Sequence, residues 1–231
     1  MTSAEAQDLQ QRAEQFNHQL LASEDKYVNE LETIVEYIVK PLEKNAVRCK
    51  IQGGDKEVKK VFQYIHSMRQ FHIEFLSFIR DKISIIPDLW KYINFITIYN
   101  DYLHHYDQII DVFATWRSME FREFVTMRLR HKNVKKHIID KLDSLPWYLY
   151  RPFDRIKEYH RFLKDIEKIS RKGVDDYNLV KETLGKIRPL YKRIKASLVW
   201  LHFDHSHFIH SFSLLLFPCD FAAVSALRGV D

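Results

Sequence analysis

The side chains best placed for chemistry lie near the C-terminus. His202, His205, His207 and His210 crowd together, with Asp204 among them. Imidazoles at such spacing bind transition metals. The same residues also read as a His-rich helix end. No group that would orient the rings by hydrogen bonding is identifiable in the sequence, so no metal and no cofactor is assigned. Covalent chemistry finds little else. The 5 glycines are scattered and form no phosphate loop. There is no nucleophile elbow, no zinc-protease motif and no Glu-x-x-His pair of a di-iron bundle. Cys49 and Cys219 lie far apart, without metal or redox spacing. The sequence points to a protein that acts by binding.

The elements that must position its binding residues are helical. A chain of 231 residues that is 46% hydrophobic suits one large domain. With 5 Gly and 6 Pro it cannot supply the many tight turns of a β protein, so few, long elements are expected. A net charge of +5 is too weak to imply nucleic acid. The polar start from Met1 to Gln10 does not read as a signal peptide. No apolar run reaches the length of about 18 residues that a membrane span needs. The expected location is cytoplasmic, with recruitment to the membrane periphery.

Apolar spacing sets the helices. Thr2-Ser3-Ala4-Glu5 reads as a capping box. Phe16, Leu20, Tyr27, Leu31, Ile34, Ile38 and Leu42 follow in steps of three, four and seven, predicting a helix to about Glu43 that bends or stops at Pro41. Gln52-Gly53-Gly54-Asp55 breaks the chain, with Asp55 as the expected cap. Val58, Phe62, Ile65, Met68, Phe71, Phe75, Leu76 and Ile79 mark a second long stripe. After a turn at Ser84 to Asp88, another helix carries Trp90, Phe95, Ile98, Tyr99, Tyr102 and Tyr106. Shorter helices are expected around Ser118–Arg130 and Asn133–Leu142. Leu145-Pro146 opens a helix to about Ser170, kinked at Pro152. Arg171-Lys172-Gly173 is a natural stop. Asp175 or Asp176 caps a last long helix to about Leu201, with Gly185 and Pro189 as bend points. The expected fold is all-α: an elongated bundle of long helices with a kinked long C-terminal helix. Charge is uneven. Residues 1–45 carry about five more acids than bases, and residues 117–172 about eight more bases than acids.

Three segments together resemble the Dbl-homology domain of Rho guanine nucleotide exchange factors. Leu20-Leu21-Ala22-Ser23-Glu24-Asp25-Lys26-Tyr27-Val28-Asn29-Glu30-Leu31, with Pro41-Leu42 beyond it, is similar to the family's opening Thr/Ser-Glu-x-x-Tyr-Val-x-x-Leu motif. Val61-Phe62, Ile65, His72 and Phe75-Leu76 resemble its Phe-x-x-Ile and His-x-x-Phe-Leu patterns. Leu149-Tyr150-Arg151-Pro152-Phe153-Asp154-Arg155-Ile156 through Tyr159 and Leu163 resembles Leu-x-Lys-Pro-x-Gln-Arg-Ile-x-x-Tyr-x-x-Leu-Leu. Order and spacing make the match more specific than any one segment, and it covers about residues 11–200.

The resemblance implies an exchange factor for a Rho-family small GTPase, a non-covalent catalyst that stabilises the nucleotide-free state through the switch regions. It implies GTPase-binding residues at Glu24, Tyr27, Arg151, Asp154, Arg155, Arg193 and Lys195. Glu24 would accept hydrogen bonds from switch I. Two departures stand out: Asp154 replaces the family's Gln, and Lys195 follows Ile194 where the family tends to carry Asn. They motivate an alternative, a Dbl-like scaffold that binds without exchange. Plainer readings stand beside these: Glu24 as an exposed acid without a role, Tyr27 and Tyr159 as core or boundary aromatics, Arg155 paired on the helix surface with Glu158 or Asp154. The basic excess reads as a solvated face or as a transient contact with an anionic membrane. A membrane-surface helical protein of the BAR type is a third reading, and it leaves the three ordered motifs unexplained. The expected organisation is a helical extension at residues 1–10, the Dbl-homology domain at 11–201 and an atypical tail at 202–231, with no pleckstrin-homology domain in the sequence.

Overall fold

The computed structural model describes residues 3–82, 86–130, 145–170 and 177–216. Thr2, the expected helix at Asn133–Leu142, the stop at Arg171-Lys172-Gly173 and the caps at Asp175 and Asp176 lie outside them. Among the described residues there is no strand. The chain divides into two units, Met1–Ile194 and Lys195–Asp231.

In the first unit α1 spans Ser3–Ile34. Its stripe is buried at Leu20, Tyr27, Leu31 and Ile34. Pro41 does not stop the helical run. A π-helical turn at Val35–Val39 precedes α2 at Lys40–Asn45, and the Lys40 N–H reaches back to the Val35 carbonyl. A proline has no N–H and its ring crowds the carbonyl four residues back; the wider turn accommodates both, and helical backbone extends to Asn45.

Helix α3, Gly54–Ile79, follows a turn that needs glycine. Gly53 has φ 84, and a Cβ there would sit 3.1 Å from the Glu57 Cβ. Asp55 does not cap this helix. It lies in the first turn and holds Lys59 at 2.9 Å, while Gly53 is the cap residue. The buried stripe of α3 is Val58, Val61, Phe62, Ile65, Met68, His72, Phe75, Leu76 and Ile79. Phe71 is only half-buried; it stacks on Phe95 with centroids 5.0 Å apart, and His72 takes the central position. Each fully buried apolar side chain in such a stripe contributes about 1.5–3 kcal/mol.

Helix α4, Ile86–Tyr92, and a 3-10 turn at Ile93–Phe95 lead into α5, Ile96–Ala114, which buries Tyr99, Tyr102, Tyr106, Ile109 and Phe113. Ser118 caps α6, Met119–Leu129, by accepting the Phe121 N–H at 3.1 Å. Its hydroxyl also donates to the Cys49 carbonyl at 2.6 Å, pinning α6 beside the α2–α3 turn. Helix α7, Leu145–Ser170, carries Pro152 in its interior. One turn before the proline ring, the Leu149 carbonyl accepts the Tyr102 hydroxyl. Helices α1, α3, α5 and α7 pack around one aromatic core.

Helix α8, Tyr177–Leu216, runs past the expected end at Leu201. Gly185 and Pro189 are exposed within it, and no Gly or Pro occurs again until Pro218. Up to Ile194 it belongs to the first unit; from Lys195 its backbone continues helical in the second. The side chains of His202, His205, His207 and His210 lie outside the described residues.

Candidate functional site

Helices α1 and α7 bring the motif residues together, and they bring them inside. Glu24 is fully buried, at 0% exposure. One carboxylate oxygen meets the Arg155 guanidinium and accepts the Tyr159 hydroxyl at 2.5 Å; the other meets His72 Nδ1. Arg155 also donates to the Ser23 hydroxyl at 2.5 Å and to Glu158 at 2.8 Å. It lies over the rings of Tyr159 and Tyr27, at 4.3 and 5.3 Å. A neighbouring bridge runs from Arg151 Nε to Glu30 at 2.7 Å, with Arg151 Nη1 on Glu158 at 3.0 Å. From His72 the network continues to Tyr99 at 2.8 Å, and the Tyr99 and Tyr27 hydroxyls lie 3.2 Å apart. Four helices meet in this one chain of polar groups.

The electrostatics fix its protons. Burial alone would raise the Glu24 carboxyl, but Arg155 and His72, helped by hydrogen bonds from His72 and Tyr159, hold its pKa down to about 2. Burial would lower Arg155, yet Tyr159, Glu24 and Glu158 keep it well above its ordinary value. Burial pushes His72 below its ordinary value, with Glu24 opposing and Arg155 and Arg151 reinforcing. Neutral His72 then donates from Nδ1 to the carboxylate and accepts the Tyr99 hydroxyl at Nε2. Burial also pushes Tyr27, Tyr99 and Tyr159 up, so their hydroxyls stay protonated. No group here is poised to exchange a proton near neutral pH. The arrangement is a clasp between α1 and α7.

This corrects part of the sequence reading. Glu24, Tyr27, Arg155 and Arg151 are buried, so in this conformation their side chains pack inside the domain. Glu24 is not an exposed acid without a role either. Arg155 does pair with Glu158, but in the interior rather than on the helix surface. Tyr27 and Tyr159 are core aromatics. Asp154 is half-exposed and paired with Lys157 at 2.9 Å, while Lys157 also donates to the Tyr150 hydroxyl at 2.7 Å. Arg193 is exposed and donates to Asn100 at 3.2 Å. Lys195 is exposed at the start of the second unit.

The opposite side of α7 faces outward along α8. His160 stacks flat on Tyr191, with centroids 3.8 Å apart and planes 5° from parallel. Around this seam Arg161 and Lys164 on α7, and Lys181, Arg188 and Lys192 on α8, are exposed. None of the five is ion-paired with a described carboxylate; nearby Asp165 is taken by Lys168 at 2.8 Å. Lys181, Arg188 and Lys192 follow at helical spacing along one flank of α8. The sequence motifs did not single these cations out. The basic surplus of residues 117–172 was the available signal for Arg161 and Lys164, and it blurred them with bases that are paired; Lys181, Arg188 and Lys192 lie beyond it.

The RhoGEF domain family matches residues 17–195, a span that contains both the buried clasp and the cationic flank. The chain belongs to the RhoGEF domain family. Dbl-homology domains of this kind bind Rho-family GTPases and catalyse nucleotide exchange on them. This RhoGEF domain is 23% identical over 171 residues to FYVE, RhoGEF and PH domain-containing protein 3 of Mus musculus, which takes in 68% of the chain and 21% of that protein. The chain spans about a fifth of that relative's length. Its fold is that of the crystal structure of the DH domain of FARP2, with a TM-score of 0.72 over 88% of this chain and 97% of the other, at 17% identity.

Proposed function

We propose that this RhoGEF domain speeds nucleotide release from a Rho-family small GTPase by gripping the switch segments of the nucleotide-free form. No bond is made or broken in this reading. A binding protein shifts an equilibrium between GTPase conformations only by its differential affinity for them. The face proposed for the grip is the outward side of α7 and α8 within the first unit. The observation that carries it is the set of exposed cations Arg161, Lys164, Lys181, Arg188 and Lys192, none of them ion-paired with a described carboxylate. Such a set suits a partner surface rich in carboxylates and carbonyl oxygens, and it would steer encounter. Asp154 and Arg193 are the exposed members of the motif-derived set in this unit. Lys195 remains a candidate carried by resemblance. Glu24, Tyr27, Arg151 and Arg155 serve in this reading by holding α7 on α1.

Release of labelled GDP from a panel of Rho-family GTPases, with and without the protein, tests the proposal. Accelerated release on at least one member, weakening as salt rises, is the expected result. A folded sample that accelerates none of them overturns exchange activity and leaves the alternative, an interaction module that binds without exchange.

A further inference from the structure

The stack of His160 on Tyr191 joins α7 to α8 and sits inside the cationic flank. His160 is buried, at 7% exposure. No described residue gives it a hydrogen bond or a carboxylate. The charged and titratable groups that face it are Lys164 from its own helix and Arg188 and Tyr191 from α8. A neutral imidazole satisfies this site: it packs flat on a phenol and adds no charge between two cations. An imidazolium does not, because it would be a third positive charge in the seam with no anion to pair it.

We propose that the His160–Tyr191 stack is an acid-sensitive clasp, closed while His160 is neutral and opened by its protonation, which loosens the seam between α7 and α8 locally and so disturbs the face proposed above for partner docking, while Leu184, Ile187 and Leu190 keep α8 anchored in the core. The regulatory consequence rests on that docking reading; the clasp itself does not. The sign follows from linkage. Burial first, then Lys164 and Arg188, hold the closed-state pKa below the ordinary histidine value. The open seam, with the ring in water, binds protons more readily. Closure is therefore fully favoured above the ordinary value, weakens as pH falls through it, and levels off below the depressed closed-state pKa. Each unit of depression makes opening about tenfold easier at the acid limit.

The test is local opening, not nucleotide release, so its failure and that of the exchange proposal stay distinct. Amide hydrogen exchange across residues 184–194 of the full chain is measured from pH 7.5 to 5.5 and corrected for intrinsic rates. The expected result is a severalfold acceleration as pH falls. Two variants tie it to the ring. His160→Phe keeps a flat ring on Tyr191 and removes the pH dependence. Arg188→Gln, at an exposed position, removes one of the two opposing cations; closed-state protonation then costs less, so the acid opening shrinks and levels off at a higher pH. The proposal is overturned if the wild type shows no acceleration, if His160→Phe keeps the same pH dependence, or if Arg188→Gln opens as much in acid as the wild type.

Discussion

Helix α7 carries charges on two sides, and the two sides are opposites. On the side facing α1, every charge has a partner: Arg155 with Glu24 and Glu158, Arg151 with Glu30 and Glu158. On the side facing α8, Arg161 and Lys164 have none among the described residues, and α8 adds Lys181, Arg188 and Lys192. The first side holds residues from the most specific sequence motifs, yet it is sealed from solvent. The second holds no residue that defines a motif, Arg161 falling at a variable position of the third, yet it is available. Charges that recur in a helical motif can be scaffold, and under the docking proposal the charges exposed on the outer side are the ones that meet a partner.

The comparison breaks first at Glu24. Its replacement by Ala leaves Arg155 and His72 buried without their acceptor, and loss of one partner of a buried pair costs about 3–5 kcal/mol. Urea unfolding is the measurement. A loss below about 1 kcal/mol would mean that the inner side is not a clasp. Acid sharpens the same point. With a pKa of about 2 against 4.5, Glu24 contributes stability that is present above pH 4.5 and is lost as pH falls through 2. That contribution is about 3 kcal/mol, and Glu24→Gln should lack this part of the pH dependence in urea midpoints taken across the window. At Tyr27, substitution by Phe removes one shared hydroxyl bond and should cost about 1 kcal/mol. Asp154→Gln on the outer side breaks an exposed pair and should change stability by no more than about 0.5 kcal/mol. A large loss at Asp154 would blur the contrast between the sides.

Much of this was legible in the sequence. Steps of three and four placed α1, α3, α5 and α7, and the ordered motifs pointed to the fold. The burial of Glu24 was also legible and was missed. Leu20, Glu24, Tyr27 and Leu31 step by four, three and four, so Glu24 occupies the buried stripe. Composition argues the other way, because an acid is rarely interior unless paired, and its partners lie 48, 131 and 135 residues away. Pairings at that separation leave no local signal. The π turn before Pro41 was hidden for a related reason: a proline announces a disturbance, while packing around Val35, Ile38 and Val39 decides its form. The cationic flank was obscured because a count of bases cannot separate Lys164, which has no described ion-pair partner, from Lys157 and Lys168, which are paired.

The most direct measurement sets Lys164→Glu/Arg188→Glu beside the wild type in GDP release from a responsive GTPase, with urea midpoints taken on the same samples. The account predicts that the reversed flank loses at least about tenfold in acceleration, while the midpoint moves by no more than surface substitutions usually cause, about 0.5 kcal/mol each. Acceleration retained by a folded double variant would contradict it and return the search for the working face to other surfaces of the domain.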